Sequence, residues 1–205
     1  SWSFRKAPKF FDIQNWTGVG QSGGQTISHD LTSEPGCIIA KRTDGNGDWF
    51  VYHKDIGFDK YLLLNDPAAT KNDDNGPFLA ATTTNFTANG VIDGTTDKYV
   101  AYLFADEPGL IKCGGYTGNA TSTTVNCGFE PQWVLFKGAT VSSDWTIVDV
   151  KRDPNTLSPN TAYQEKVESA YSITSTGFVV TTGSNEFNAN GKDYIYVAIA
   201  APVVE

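Results

Sequence analysis

The sequence predicts an all-β fold of two tandem antiparallel β-sandwich units, of jelly-roll or lectin-like type. Residues 99–104, 134–136 and 195–199 are short runs rich in β-branched and aromatic residues, about the length of a strand. Turn motifs with glycine and asparagine follow such runs at short intervals. No window of a dozen residues has a clear helical period, and only residues 162–170 could form a turn or two of helix. Many short strands joined by tight turns are typical of a sandwich.

One hairpin is predicted around residues 44–48, whose sequence is Asp-Gly-Asn-Gly-Asp. The runs 39–41 and 49–52 on either side have the composition of strands. Asp-Gly and Asn-Gly pairs tolerate the left-handed backbone conformations that tight turns need. The two runs should therefore pair with each other.

The chain also contains an internal repeat of about 95 residues, because several blocks recur in the same order. The matching blocks are Trp16-Thr17-Gly18 with Tyr116-Thr117-Gly118, Glu34-Pro35 with Glu130-Pro131, Asp48-Trp49 with Asp144-Trp145, Phe86 with Phe178, and residues 98–103 with 193–198. The repeat predicts one sandwich in residues 11–109 and a second in residues 110–205. Residues 1–10, in which Trp2 and Phe4 alternate with polar residues, are predicted to be the terminal strand of a preceding unit or a linker.

Composition excludes two classes of function. The net charge of −8 argues against binding of nucleic acid, which needs a basic surface. The longest apolar stretch, residues 195–204, is about half a membrane span and is interrupted by Pro202, which argues against membrane insertion. The three cysteines, Cys37, Cys113 and Cys127, have no zinc-site spacing. Buried free thiols are expected, and a bridge between Cys113 and Cys127 is the alternative.

A further set of short sequence blocks, spread over nearly the whole chain, is informative together with Trp16-Thr17-Gly18 and Asp48-Trp49: residues 3–12, 27–31, 35–36, 41–42, 51–53, 100–105, 113–118 and 128–133. Together these blocks resemble a repeated β-sandwich domain of uncharacterised function found in tail-fibre and other virion proteins of aquatic tailed bacteriophages. The resemblance implies a lectin-like, modular and often trimeric virion protein, and it supplies no catalytic residues. Residues 153–170 depart most from it, so this loop region is a place where partner specificity could lie.

Asp44, Asn46 and Asp48 have the alternate-oxygen spacing that begins a calcium-binding loop. An EF-hand would also need a later glutamate and flanking helices, whereas Tyr52 and His53 follow here on a strand. A plain hairpin turn is therefore expected, with no metal and no cofactor.

Catalytic groups are also sparse. His29 and His53 are the only histidines, no nucleophile elbow is present, and both are expected on strand surfaces. Glu34 and Glu130 stand out as paired acids, but each precedes a proline at an equivalent turn, which favours a structural role. The sequence thus predicts that the protein is not an enzyme.

Four aromatic residues are candidates for a ligand-binding surface: Trp16, Trp49, Tyr116 and Trp145. They recur at equivalent positions beside polar residues, as in sugar-binding modules, although recurring large aromatics also form core layers between sheets. Both interpretations stay open at this point.

These observations favour a structural or adhesion component of a phage virion, such as part of a tail fibre or another host-attachment appendage. Its expected partners are other virion chains, further copies of itself, with a trimer favoured, and a cell-surface glycan. The alternatives are a carbohydrate-binding module of a secreted protein and a polysaccharide-degrading tail enzyme.

Overall fold

The computed structural model describes residues 3–201, which divide into two compact units. Unit 1 comprises residues 3–64 and 70–106, and unit 2 comprises residues 65–69 and 107–201. Both units are built of antiparallel strands, so the predicted all-β sandwich class is confirmed. Within residues 3–201, no helix is long and apolar enough to cross a bilayer.

Unit 1 consists of two antiparallel sheets. Its strands are β1 (Phe11–Thr17), β2 (Gln25–Ser28), β3 (Cys37–Arg42), β4 (Trp49–His53), β5 (Lys60–Leu63), β6 (Lys71–Asn72), β7 (Phe78–Ala81), β8 (Asn85–Ala88) and β9 (Lys98–Phe104), with a 3₁₀ turn at Gly90–Ile92. The larger sheet has the order β1-β9-β3-β4-β5-β6 and the smaller one the order β2-β8-β7.

Unit 2 has the same strand order. Its strands are β10 (Ile111–Thr117), β11 (Thr123–Asn126), β12 (Pro131–Gly138), β13 (Thr146–Asp149), β14 (Asn155–Leu157), β15 (Lys166–Val167), β16 (Tyr171–Thr174), β17 (Gly177–Val180) and β18 (Asp193–Ala200). The larger sheet runs β10-β18-β12-β13-β14-β15 and the smaller one β11-β17-β16. One edge of each larger sheet is a two-residue strand containing a lysine, Lys71 in β6 and Lys166 in β15.

The local predictions have mixed outcomes. The three apolar runs lie in β9, β12 and β18, and β3 pairs with β4 as the predicted hairpin, with Lys41 opposite Trp49. Residues 162–170, the one segment that could have formed a turn or two of helix, are irregular apart from the short strand β15. Lys166 and Val167 of β15 pair with β14 instead.

The predicted terminal strand is absent from residues 3–6, and Trp2 lies outside the described residues. A tight turn brings the Ala7 N–H within 2.9 Å of the Phe11 carbonyl and reverses the chain. Phe4 then packs on the rings of Phe11 and Phe104, with centroids 5.4 and 5.8 Å apart. The segment is therefore held by ring contacts instead of strand pairing.

Each core lies between the larger and the smaller sheet of its unit. In unit 1, Trp16 on β1 meets Phe86 on β8 edge to face, with centroids 5.7 Å apart. In unit 2, Phe136 and Tyr196 enclose Phe178 at 4.9 and 5.2 Å. Alternate residues of β1, β12 and β18 supply these contacts, which is the pattern of a strand with one face on the core.

A buried polar side chain closes one end of each sandwich. The Asp93 carboxylate, 1% exposed, accepts hydrogen bonds from the Val19 and Gln21 N–H groups at 2.9 and 3.1 Å. The Asn188 side-chain oxygen accepts from the Asn119 N–H at 2.9 Å in unit 2. Each residue thus ties the turn after the first strand of its unit to the connection before the last strand.

Unit 2 offers a matched control for this closure, because it has an amide where unit 1 has a carboxylate. We expect Asp93→Leu to lower the free energy of unfolding by about 3 kcal/mol, since two backbone N–H groups lose their acceptor. Asp93→Asn should cost clearly less, because an amide oxygen can still accept. Urea unfolding of both variants checks this, and equal losses would contradict it.

Candidate functional site

The two aromatic residues before Thr-Gly lie in the cores of their units. Trp16 is 8% exposed, stacks on Tyr99 at 5.3 Å and donates its Nε1–H to the Ile92 carbonyl at 3.0 Å. Tyr116 is half-buried, stacks on Tyr194 at 5.0 Å and donates its hydroxyl to the carbonyl of Phe187 at 2.6 Å. Burial removes Trp16 as a sugar platform and leaves little of the Tyr116 ring to serve as one.

The glycine of the same motif has a structural cause. A Cβ at Gly18 would lie 2.2 Å from the Gly94 carbonyl oxygen, and one at Gly118 would lie 2.4 Å from that of Ala189. Neither backbone approach leaves room for a side chain. The recurrence of Trp/Tyr-Thr-Gly therefore reflects the closure of the fold and not a ligand.

The second pair of aromatic candidates differs between the units. Trp145 is 2% exposed, whereas Trp49 is half-buried. Trp49 stacks on the half-buried Tyr102, with ring planes 20° apart, and the Lys41 ammonium lies 6.0 Å from its centroid. Of the four aromatic candidates, Trp49 retains the most evident platform, an aromatic pair with a cation beside it.

The acidic turn next to Trp49 is organised by basic side chains. The Arg42 guanidinium bonds Asp44 at 2.9 Å and Asp97 at 2.7 Å, and it holds the pKa of the Asp44 carboxyl below its ordinary value. The Lys41 ammonium donates to the Gly47 carbonyl. Within residues 3–201, no group of three or more His, Cys, Asp or Glu side chains is placed to hold a metal ion.

A shallow hollow of about 420 Å³ lies on the same sheet, and Trp16 and Tyr99 line it together with four polar residues. Its polar lining residues are Asn15, Thr17, Thr43 and Lys98. Asn15 and Lys41 both pair with Val100, and Lys41 pairs with Trp49, so all four lie in one row across the sheet. Directly paired residues share a face, so the hollow and the Trp49 platform form one surface.

Unit 2 has a lysine and a tryptophan at the corresponding positions, but they are covered. Lys137 pairs with Ile195 as Lys41 pairs with Val100, yet its side chain is fully buried. The carbonyl of Pro67, in the segment 65–69 of unit 2, accepts from the Lys137 ammonium, from Ser142 Oγ and from the Ser143 N–H at 3.2, 3.0 and 2.9 Å. Burial lowers the pKa of Lys137 to about 8, against the opposing effect of nearby acids.

We name the corresponding open surface of unit 1 the Trp49 patch, defined as Lys41, Asn46, Gly47, Trp49 and Tyr102. The loop from Lys41 to Trp49 has the same length as that from Lys137 to Trp145. Asn46 and Gly47 therefore occupy the positions of Ser142 and Ser143. Sequence reasoning considered this turn as a hairpin and for metal binding, and it did not consider the hydrogen-bond donors that the comparison with unit 2 points out.

Both histidines are buried, so their predicted place on strand surfaces is wrong. His29 Nδ1 accepts the Leu31 N–H and Nε2 lies 3.2 Å from the Thr82 carbonyl, and burial lowers the pKa of His29. His53 accepts the Asp55 N–H at 3.2 Å. Each ring fixes a local turn. A buried imidazole is suited to this role because it can both donate and accept a hydrogen bond.

The cysteines and the paired glutamates also have structural places. All three cysteines are free and buried, as predicted, and burial raises the pKa of Cys37 to about 12 and of Cys127 to about 11. Thiols held protonated in this way are poor nucleophiles. Glu34 and Glu130 are exposed in separate units, each directly before its proline.

A model of one protein family, described as a domain of unknown function, DUF7483, matches residues 6–202. The chain belongs to the DUF7483 family. The DUF7483 match extends across both units. No curated protein and no solved structure is significantly similar to the chain.

The difference in burial between Trp16 and Trp49 gives a direct test of which aromatic is core. We expect Trp16→Ala to lower the free energy of unfolding by about 3–5 kcal/mol, because it empties a core site. Trp49→Ala should cost less, about 1–3 kcal/mol, since part of the Trp49 ring is already exposed to solvent. Urea unfolding followed by circular dichroism measures both, and similar losses would contradict this assignment.

Proposed function

We propose that the chain is a non-catalytic assembly and adhesion component of a tailed-phage virion, part of a tail fibre or another host-attachment appendage. The sequence resemblance to virion domains supports the setting. The other virion chains, further copies of this chain and a cell-surface glycan are the partners that this proposal implies.

The observation that carries the proposal is the unequal coverage of the two units. The Lys137 position of unit 2 lies beneath the segment 65–69, whereas the Trp49 patch of unit 1 is half-exposed. Partly exposed aromatic side chains beside hydrogen-bond donors are characteristic of protein interfaces. A face of this composition is suited to receive a partner.

The positions of the reactive side chains support a non-catalytic role. Both histidines hold backbone groups in the interior, and the paired glutamates stand in different units. A general base must reach its substrate. These side chains are committed to turns instead.

We further propose that the two units descend from duplication of one sandwich. The strand order is the same, and the pairing of β1 with β9 matches that of β10 with β18, with Thr17 opposite Lys98 and Thr117 opposite Asp193. Duplication supplies an assembly protein with two similar faces that can later diverge.

The virion setting is tested on purified particles. We expect mass spectrometry to find this chain in density-gradient-purified virions, and gold-labelled antibody against it to decorate the tail or its fibres. Antibody pre-absorbed with the purified chain is the control. Recovery of the chain only from the soluble fraction of the lysate would overturn the proposal.

Glycan adhesion through the hollow is the second candidate function. Hydroxyl, amide and ammonium groups beside a stacked aromatic pair form a composition suited to sugars. On a glycan array, Lys98→Ala and Thr17→Ala should weaken binding of any captured glycan by about tenfold. Lys192→Ala, on an exposed residue outside the hollow, should leave it unchanged. Binding unaffected by all three variants would exclude the hollow.

A further inference from the structure

The segment 65–69, which covers Lys137, follows β5 in the chain, and an equivalent segment follows β14. Leu62 in β5 pairs with Val51, and Leu157 in β14 pairs with Ile147. The spacing from Leu62 to Lys71 of β6 equals the spacing from Leu157 to Lys166 of β15. Residues 160–164 therefore correspond to residues 65–69, and Ala162 stands in the place of Pro67.

The surface that receives such a segment also has a counterpart. Unit 2 presents an ammonium, a side-chain donor and a backbone N–H to the Pro67 carbonyl. Unit 1 has the same three kinds of donor in the ammonium of Lys41, the side-chain amide of Asn46 and the backbone N–H of Gly47. Asn46 and Gly47 are exposed.

The second half of the counterpart segment is exposed as well, whereas Asn160 and Thr161 are half-buried. Residues 162–167 are all exposed, and Tyr163 has 80% of its surface in contact with solvent. A large aromatic side chain displayed at a loop tip is typical of an interface anchor. Tyr163 directly follows Ala162, so a carbonyl bound at the donors of unit 1 would bring this ring next to the platform of Trp49 and Tyr102.

We propose that residues 160–164 of one copy bind the Trp49 patch of a second copy. This inference rests on the assembly role proposed above and names the partner. A second copy is the occupant because the equivalent surface in unit 2, around Lys137, is covered by residues 65–69 of this chain. These residues are equivalent to residues 160–164. The Ala162 carbonyl accepts hydrogen bonds from Lys41, Asn46 and Gly47, and Tyr163 packs on Trp49.

Such a contact is heterologous, because it joins two different surfaces of identical chains. An open assembly of such copies has an unused segment 160–164 at one end and an unused Trp49 patch at the other. Repetition closes into a ring, of which a trimer is one case, or continues as a filament, depending on the rotation between copies. Each chain carries a net charge of −8, so salt that screens this repulsion should strengthen the contact.

Blocking one surface at a time tests the arrangement. Lys41→Glu blocks the patch by placing an anion against the incoming carbonyl, and Asn46→Trp is a second patch-blocked variant on an exposed turn. Tyr163→Asp blocks the segment. Lys151→Glu and Val91→Asp are the controls for the two kinds of change, because both side chains are exposed elsewhere.

Sedimentation velocity over a concentration series in moderate salt is the measurement. The native chain and both controls should associate, and each blocked variant should associate about tenfold or more weakly. An equal mixture of a patch-blocked and a segment-blocked variant retains one intact contact and should form dimers that grow no further.

Three results would overturn the inference: a native chain that stays monomeric, blocked variants that associate normally, or a mixture that does not recover dimers. The last result would indicate a symmetric contact instead. A monomeric chain that is nevertheless found in purified virions would remove the inference and leave the proposed function. A chain that associates but is absent from virions would remove the proposed virion role and leave the contact between copies.

Discussion

In each unit, the turn after the first strand has to meet the connection before the last strand, and a buried side chain makes this closure. Asp93 and Asn188 accept the backbone N–H groups of these turns, and Gly18 and Gly118 let the two backbones approach. The closure holds the first and last strands side by side in the larger sheet. Every position on that sheet, including the row from Asn15 to Trp49, depends on this pairing.

Local chemistry in the sequence was sufficient to predict β9, β12, β18 and the β3–β4 hairpin, because strand composition and Asp-Gly or Asn-Gly turns act over a few residues. It could not assign Trp16 and Trp49 to different environments. Alternation along a strand separates two faces, but which face is covered depends on strands far away in the chain, such as β8 against Trp16. The histidines were misplaced for a related reason, since their buried role depends on turn N–H groups that composition does not reveal.

The sequence identified the residue types of the candidate site but not which of those residues are exposed. Lys41 and Lys137 occupy equivalent positions, but Lys137 is buried and Lys41 is only half-buried. The difference arises because residues 65–69 follow β5 in the chain but belong to unit 2, where the Pro67 carbonyl reaches Lys137. This long-range contact displaces water from Lys137 and not from Lys41. It can therefore be recognised only in the three-dimensional structure.

The two-residue strands β6 and β15 limit how chains of this kind can meet. A long, regular sheet edge offers a row of backbone groups to which any extended peptide can add, whereas a short edge bearing a lysine offers almost none. At these two edges, copies of the chain can therefore meet mainly through side chains, which discriminate between partners. Backbone-templated aggregation, which ignores side-chain identity, is suppressed there, and it is left to the longer edge strands β1 and β10.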